Sequence, residues 1–344
     1  MRIARWEHGG AVGEGFVIDE HVVPFPDELT VADVLRMGLA ELPRIAEAAT
    51  NAEPTRRLLL ADVRLLPPVV PPSVRDFVAF EEHVEGVVRS VSGGHGVDAE
   101  WYEFPTFYFT NPHSLIATGE TLRPPRTERL DFELEVAAVI GGVPGSDGAN
   151  LDPAEAGGHI FGYTIFNDWS ARDIQAREMK VRLGPCKGKD FATTLGPWIV
   201  TADEFADRHD AEGFLPIGME VLINGEQIGN DLLSNMAWPF GELVAYASRN
   251  SRVVPGDVLG SGTAGNGGCL GELWGRSASL TPAPLLEGDI VVIRVEGIGE
   301  ICNVVGAVID APRIGPARVR PRTRPVTPIA SYAPPPSPPI EEIQ

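Results

Sequence analysis

The segment Asp131-Phe-Glu-Leu-Glu-Val-Ala-Ala-Val-Ile140 constrains the fold more than any other stretch of the chain. It reads as a strand, and it carries acids at Glu133 and Glu135. Side chains alternate faces along a strand, so these two carboxylates point the same way. Burying both on an otherwise apolar strand is costly unless a cation sits between them. The pair is therefore either a solvated strand face or the first half of a metal site.

Three more residues extend that choice. Ser73-Val-Arg-Asp76 precedes an apolar-periodic run (Phe77, Phe80, Val84, Val87) and matches a helix capping box. On that pattern Asp76 caps a helix, and His83, seven residues on, shares its face. Gly162-Tyr-Thr-Ile-Phe-Asn-Asp168 passes from an apolar strand into a polar turn, which leaves Asp168 at a strand end, able to face a cleft. Arg172 and Gln175, three apart, share a face if a helix begins there. A run of cations follows. Arg177, Lys180 and Arg182 read as a solvated loop, whereas Lys189 leads into Phe191-Ala-Thr-Thr-Leu-Gly-Pro-Trp-Ile-Val200, which reads as buried. Gly260-Ser-Gly-Thr-Ala-Gly265 formally matches a dinucleotide fingerprint, but glycines at 265, 267, 268 and 271 are expected to prevent a helix after it. A catalytic loop carrying the Thr263 hydroxyl near Glu272 fits the segment better.

A length of 344 residues and 43% hydrophobic content support a large core. The net charge of −20 argues against sequence-independent nucleic-acid binding, which needs a basic footprint. No apolar run approaches the roughly 20 residues of a membrane span, and the N-terminus lacks the apolar centre of a signal peptide. Cys186, Cys269 and Cys302 are too few and too scattered for a disulfide framework or a zinc site, and read as buried free thiols. A cytoplasmic protein is expected. Residues 1–65 read as a small unit, with strand-like alternation and then one helical pattern from Thr30 to Ala49 (Val34, Leu35, Leu39, Leu42). The proline-dense Leu65–Pro72 connects it to a β-rich domain over 66–310. A Pro/Arg-rich tail, 311–344, cannot bury enough apolar surface to fold alone.

Taken together, FELEVAAVIG, FGYTIFNDWSARDIQ, KGKDFATTLGPWIVT, VVPGDVLGSGTAG and EGDIVVIRVEGIG resemble the fumarylacetoacetate hydrolase family, over about residues 65–310 and in the family's order. The resemblance implies a mixed, β-rich α/β fold: a catalytic β-roll of mixed sheets behind a small N-terminal domain, assembled as a homodimer. It implies Mg²⁺, or Ca²⁺ or Mn²⁺, held by Asp76, Glu133, Glu135 and Asp168. It places His83, Glu272 and Lys189 in catalysis, with Glu272 orienting His83. Tyr108, Arg172, Gln175 and Thr263 fall at substrate-contacting positions. The implied activity is hydrolysis of a C–C bond in a small 1,3-diketo acid, with a decarboxylase or dienedioate-type isomerase as the alternative. Val78 and Met179 replace tyrosines of the fumarylacetoacetate-cleaving branch and make the pocket less polar. The His-x-x-Glu dyad of other branches is displaced here, where the order is His83-Val-Glu85-Gly86.

Overall fold

The computed structural model describes residues 1–51, 57–92 and 96–318. A sheet of twelve strands runs in spatial order from Leu58–Leu59 through His21–Pro24, Ala11–Ile18, Arg2–His8, Thr193–Thr201, Ile160–Asp168, Leu134–Ile140 and Val258–Gly260 to Val74–Phe77 and Phe107–Thr110, with two short strands beside this path. A second sheet orders Glu226–Leu232, Gly218–Ile223, Ile290–Val295, Gly299–Val305 and Thr121–Leu122. Val258–Gly260 pairs parallel to Val74–Phe77, while its other neighbour is antiparallel, so the large sheet is mixed. The architecture is the β-rich, mixed α/β class expected from the sequence.

The near-continuous apolar run of Leu134–Ile140 is explained by burial on both faces. Val136, Ala138 and Ile140 enter a core shared with Val221, Ile293 and Val305 of the second sheet. Ala137 and Val139 enter another core, capped by Val34, Leu35 and Ile45 of the N-terminal helices. Period-two alternation thus sorts one strand between two cores. Each fully buried valine or isoleucine there contributes roughly 1.5–3 kcal/mol.

Arg2–His8 pairs with Thr193–Thr201 across the proline-dense connector, and Met1–Asp310 forms one compact unit. Two sequence expectations are corrected here. The helix predicted from Thr30 to Ala49 is two, Val31–Met37 and Leu42–Asn51. Thr30 caps the first with a capping box, and Gly38, at φ 80°, ends it against the Gly142 carbonyl, where no Cβ fits. Asp76 caps nothing: it lies within the Val74–Phe77 strand, opposite Tyr108 and Gly260, and the helix that follows starts at Glu81. Of the Pro/Arg-rich tail, 311–318 is exposed and without regular structure, and 319–344 lies outside the described residues. Among the described residues no helix is long and apolar enough to cross a membrane.

Candidate active site

The sheet gathers carboxylates from three neighbouring parts of the chain. Asp76 comes from Val74–Phe77, Glu133 from just before Leu134–Ile140, and Asp168 from the last position of Ile160–Asp168. One oxygen of each lies within 4.8 Å of the others, and all three residues are buried. Glu135, the fourth expected ligand, stands beside this triad and accepts from Thr263 Oγ1 at 3.3 Å. Gly260 is why Asp76 and Glu135 fit together: a Cβ there would lie 2.5 Å from Asp76 Oδ1 and 3.1 Å from Glu135 Oε2. Those two oxygens are buried without a hydrogen-bond partner.

Two cations answer part of this charge. Lys189 pairs with Glu133, and with Asp168 at 2.8 Å. Arg172 reaches Asp131 through Nε at 2.8 Å, Glu133 through Nη2 at 2.7 Å, and donates from Nη1 to Gln175 Oε1 at 3.1 Å. Burial would raise Glu133, but Lys189 and Arg172 outweigh it and hold it at about 2. Asp76 and Glu135 have less help: burial and neighbouring carboxylates outweigh the pull of Lys189 on Asp76 and push both well above the usual carboxylate range. Burial would lower Lys189, but Asp168 and Glu133 overcome it and keep the ammonium charged. Five buried acids, counting Asp131, thus face two cations. Orphaned oxygens, an excess of negative charge and an all-oxygen donor set fit a hard divalent cation, not zinc. Asp76, Glu133 and Asp168 would hold it, with Glu135 alongside.

The expected substrate contacts are engaged in holding this cluster. Tyr108 donates its hydroxyl to Asp168, Thr263 supports Glu135, and Arg172 braces Glu133. Gln175 sits on the Arg172–Met179 helix and orients Arg172, as their spacing foretold. Arg177, Lys180, Arg182 and Lys187 are exposed, in contrast to Lys189. A cavity of 300 Å³ opens against Tyr108, Thr110 and Lys189. Two larger cavities, of 610 and 810 Å³, contain none of these cluster residues. Val78, Trp101 and Trp238 come together: Trp101 Nε1 donates to the Val78 carbonyl at 2.7 Å, and the two indoles meet edge to face at 4.9 Å.

His83 lies on the Glu81–Ser92 helix and keeps only 7% of its surface. Burial holds its pKa at about 3, so the imidazole is neutral at ordinary pH. Its hydrogen-bond partner is Cys269, with Nδ1 3.6 Å from Sγ. Nε2 has no partner among the described residues. Among the described residues Glu272 makes no hydrogen bond to the ring, the partner the resemblance implied for it. Its Oε1 meets Arg276 at 2.5 Å and the Gly267 N–H at 3.3 Å, and Oε2 is unpaired. The physical reason is the placement of Cys269, whose sulfur accepts the Glu272 N–H at 3.3 Å and stands where a carboxylate was expected. A helix, Leu270–Ser277, does open after the glycine loop, because Cys269 caps it.

Burial raises the Glu272 carboxyl to about 7, against the pull of Arg276. Being raised, it stabilises the fold fully below the ordinary value near 4.5, and that contribution is lost as pH rises through 7. A shift of about 2.5 units corresponds to at most roughly 3 kcal/mol. Glu272→Gln removes the titration. The variant is expected to gain on wild type by up to that amount between pH 5 and pH 8 in urea unfolding. Parallel pH curves would refute the assignment.

Two functional residues escaped the sequence reading. Asp131 is fully buried and accepts from the Phe132, Leu270 and Gly271 N–H groups as well as from Arg172. It thereby ties the carboxylate strand to the start of the Glu272 helix. Its signal was parity: 131, 133 and 135 alternate with the apolar positions. Cys269 carried a weaker signal, lying three residues before Glu272 at N-cap spacing. Cys186, expected buried, is exposed.

A β-rich sheet with a carboxylate cluster at its strand ends and a histidine helix beside it defines a class of carboxylate-site enzymes. Residues 73–306 match the family model described as fumarylacetoacetate (FAA) hydrolase C-terminal, and the chain belongs to that family. It is 29% identical over 309 residues to fumarylacetoacetase of Arabidopsis thaliana, covering 74% of this chain and 73% of that one. It is 26% identical over 250 residues to oxaloacetate tautomerase YisK of Bacillus subtilis, covering 72% and 74%. Among solved structures, fumarylacetoacetate hydrolase from Exiguobacterium antarcticum superposes with a TM-score of 0.66 at 26% identity, over 89% of this chain and 99% of that one.

Proposed function

We propose that the protein is a divalent-metal-dependent hydrolase that cleaves a C–C bond in a small 1,3-diketo acid. The observation that carries this reading is the buried Asp76/Glu133/Asp168 cluster, with a neutral His83 whose Nε2 has no partner among the described residues. Bound Mg²⁺, or Ca²⁺ or Mn²⁺, supplies Lewis acidity toward the oxygens of a 1,3-dicarbonyl. His83 Nε2 accepts a proton from water, whose oxygen bonds to the carbonyl carbon. The C–C bond then breaks, its electron pair leaves as an enolate, and the proton passes from His83 to the leaving carbon. Lys189 uses two donors on Glu133 and Asp168, leaving its third for an oxygen that gains charge.

One observation favours a second reading, a keto–enol tautomerase or isomerase. His83 is partnered by a neutral thiol and not by Glu272, so a strong water-activating dyad is not assembled. A panel of acylpyruvates, fumarylpyruvate, fumarylacetoacetate and oxaloacetate, assayed with Mg²⁺ and then EDTA and resolved by product mass, separates the two. Metal-dependent gain of water with two smaller products is expected. Products of unchanged mass would transfer the protein to the second reading.

A further inference from the structure

Cys269 joins the parts of the site that the family resemblance paired directly. Its sulfur accepts the Glu272 N–H at 3.3 Å and meets His83 Nδ1 at 3.6 Å, in full burial. The backbone behind it is fixed, since Asp131 accepts the next two N–H groups, of Leu270 and Gly271, at 2.8 and 2.9 Å. The imidazole is thus referenced through one sulfur to a helix N-terminus that the carboxylate strand anchors. The ring's other nitrogen has no partner among the described residues.

We propose that Cys269 is the positioning residue for His83: Sγ accepts the Nδ1 hydrogen bond, which leaves Nε2 as the lone-pair nitrogen. This rests on the reading of His83 as a base. An imidazole has one N–H in its neutral form, and the partner of one nitrogen decides the role of the other. A carboxylate partner would also stabilise the imidazolium, as in hydrolytic triads. A thiol fixes the ring without doing so, and burial keeps this thiol un-ionised. His83 then passes on a proton it accepts and does not retain it, which suits a base that must later reprotonate a carbanion.

The test is long-range ¹H–¹⁵N spectroscopy of the full chain labelled at histidine, with His83 assigned by its loss in His83→Ala. Wild type is expected to show a protonated Nδ1 and a bare Nε2. Cys269→Ala should replace this with a tautomer mixture and lower kcat about tenfold at nearly unchanged KM, as loss of a residue orienting a reactive group typically does. Cys269→Ser, which keeps a cap and an acceptor, should restore the single tautomer and most of kcat. A wild-type proton on Nε2, or a His83 spectrum unchanged in Cys269→Ala, would overturn the proposal. Should the alanine variant not fold, an Nδ1 resonance unmoved in Cys269→Ser overturns it equally. The spectra need no turnover, so full activity in His83→Ala would end the base reading independently of them.

Discussion

Replacing His83 with alanine is expected to lower kcat by about 10²–10⁴, the usual range for a positioned general base. Metal affinity should stay within about twofold, since among the described residues no carboxylate of the triad hydrogen-bonds to the ring. The loss should not be rescued by moderate acid or base. With its pKa at about 3, wild-type His83 is already a neutral imidazole above pH 5, so no histidine limb belongs in the pH–rate profile there. Measuring kcat and KM for wild type and variant from pH 5 to pH 8, with Mg²⁺ titrated by calorimetry, checks all three statements. Residual activity within tenfold of wild type would remove water activation by His83 and favour tautomerisation. Loss of metal binding in the variant would mean instead that the ring supports the carboxylates.

Period and composition made the β-rich class legible, along with the shared face of Glu133 and Glu135 and the contrast between Lys189 and its exposed neighbours. These are local properties: alternation along one strand, or a cation set before an apolar run. The resemblance set Asp76 among the carboxylates, but the local reading of Ser73-Val-Arg-Asp76 as a helix cap fails, because parallel pairing with Val258–Gly260 decides the conformation. Propensity loses to tertiary pairing in such cases. The fusion of residues 1–65 into the large sheet was hidden for the same reason, since its evidence is a strand pair linking Arg2 to Val200. The partners of His83 were the least legible. Whether a thiol or a carboxylate meets Nδ1 depends on the rotation of the Leu270–Ser277 helix, which Asp131 sets from 139 residues away. Sequence motifs name the residues at a site but not the hydrogen bonds among them.

Lys189→Met should destabilise the metal-free protein by about 3–5 kcal/mol, the range for removing one partner from a buried ion pair. Methionine replaces most of the stem, so the charge is lost with little change in packing. Glu133 and Asp168 then lose the cation they share, and Asp76 and Glu135 already lie in a region where burial disfavours their charge. The carboxyls respond by binding protons, so the deficit should grow as pH rises from 5 to 8. Lys189 itself contributes no slope there, because its raised pKa keeps it charged throughout that window. A divalent ion binds the folded state selectively and supplies the missing positive charge, so Mg²⁺ should raise Tm more in the variant than in wild type. Thermal unfolding of both proteins with EDTA and with Mg²⁺ gives the four values needed. Equal Tm values in EDTA would show that protonation alone neutralises the cluster. Tm values that Mg²⁺ leaves unmoved in both proteins would deny the carboxylates their role as cation ligands, and with it the metal dependence of the proposed reaction.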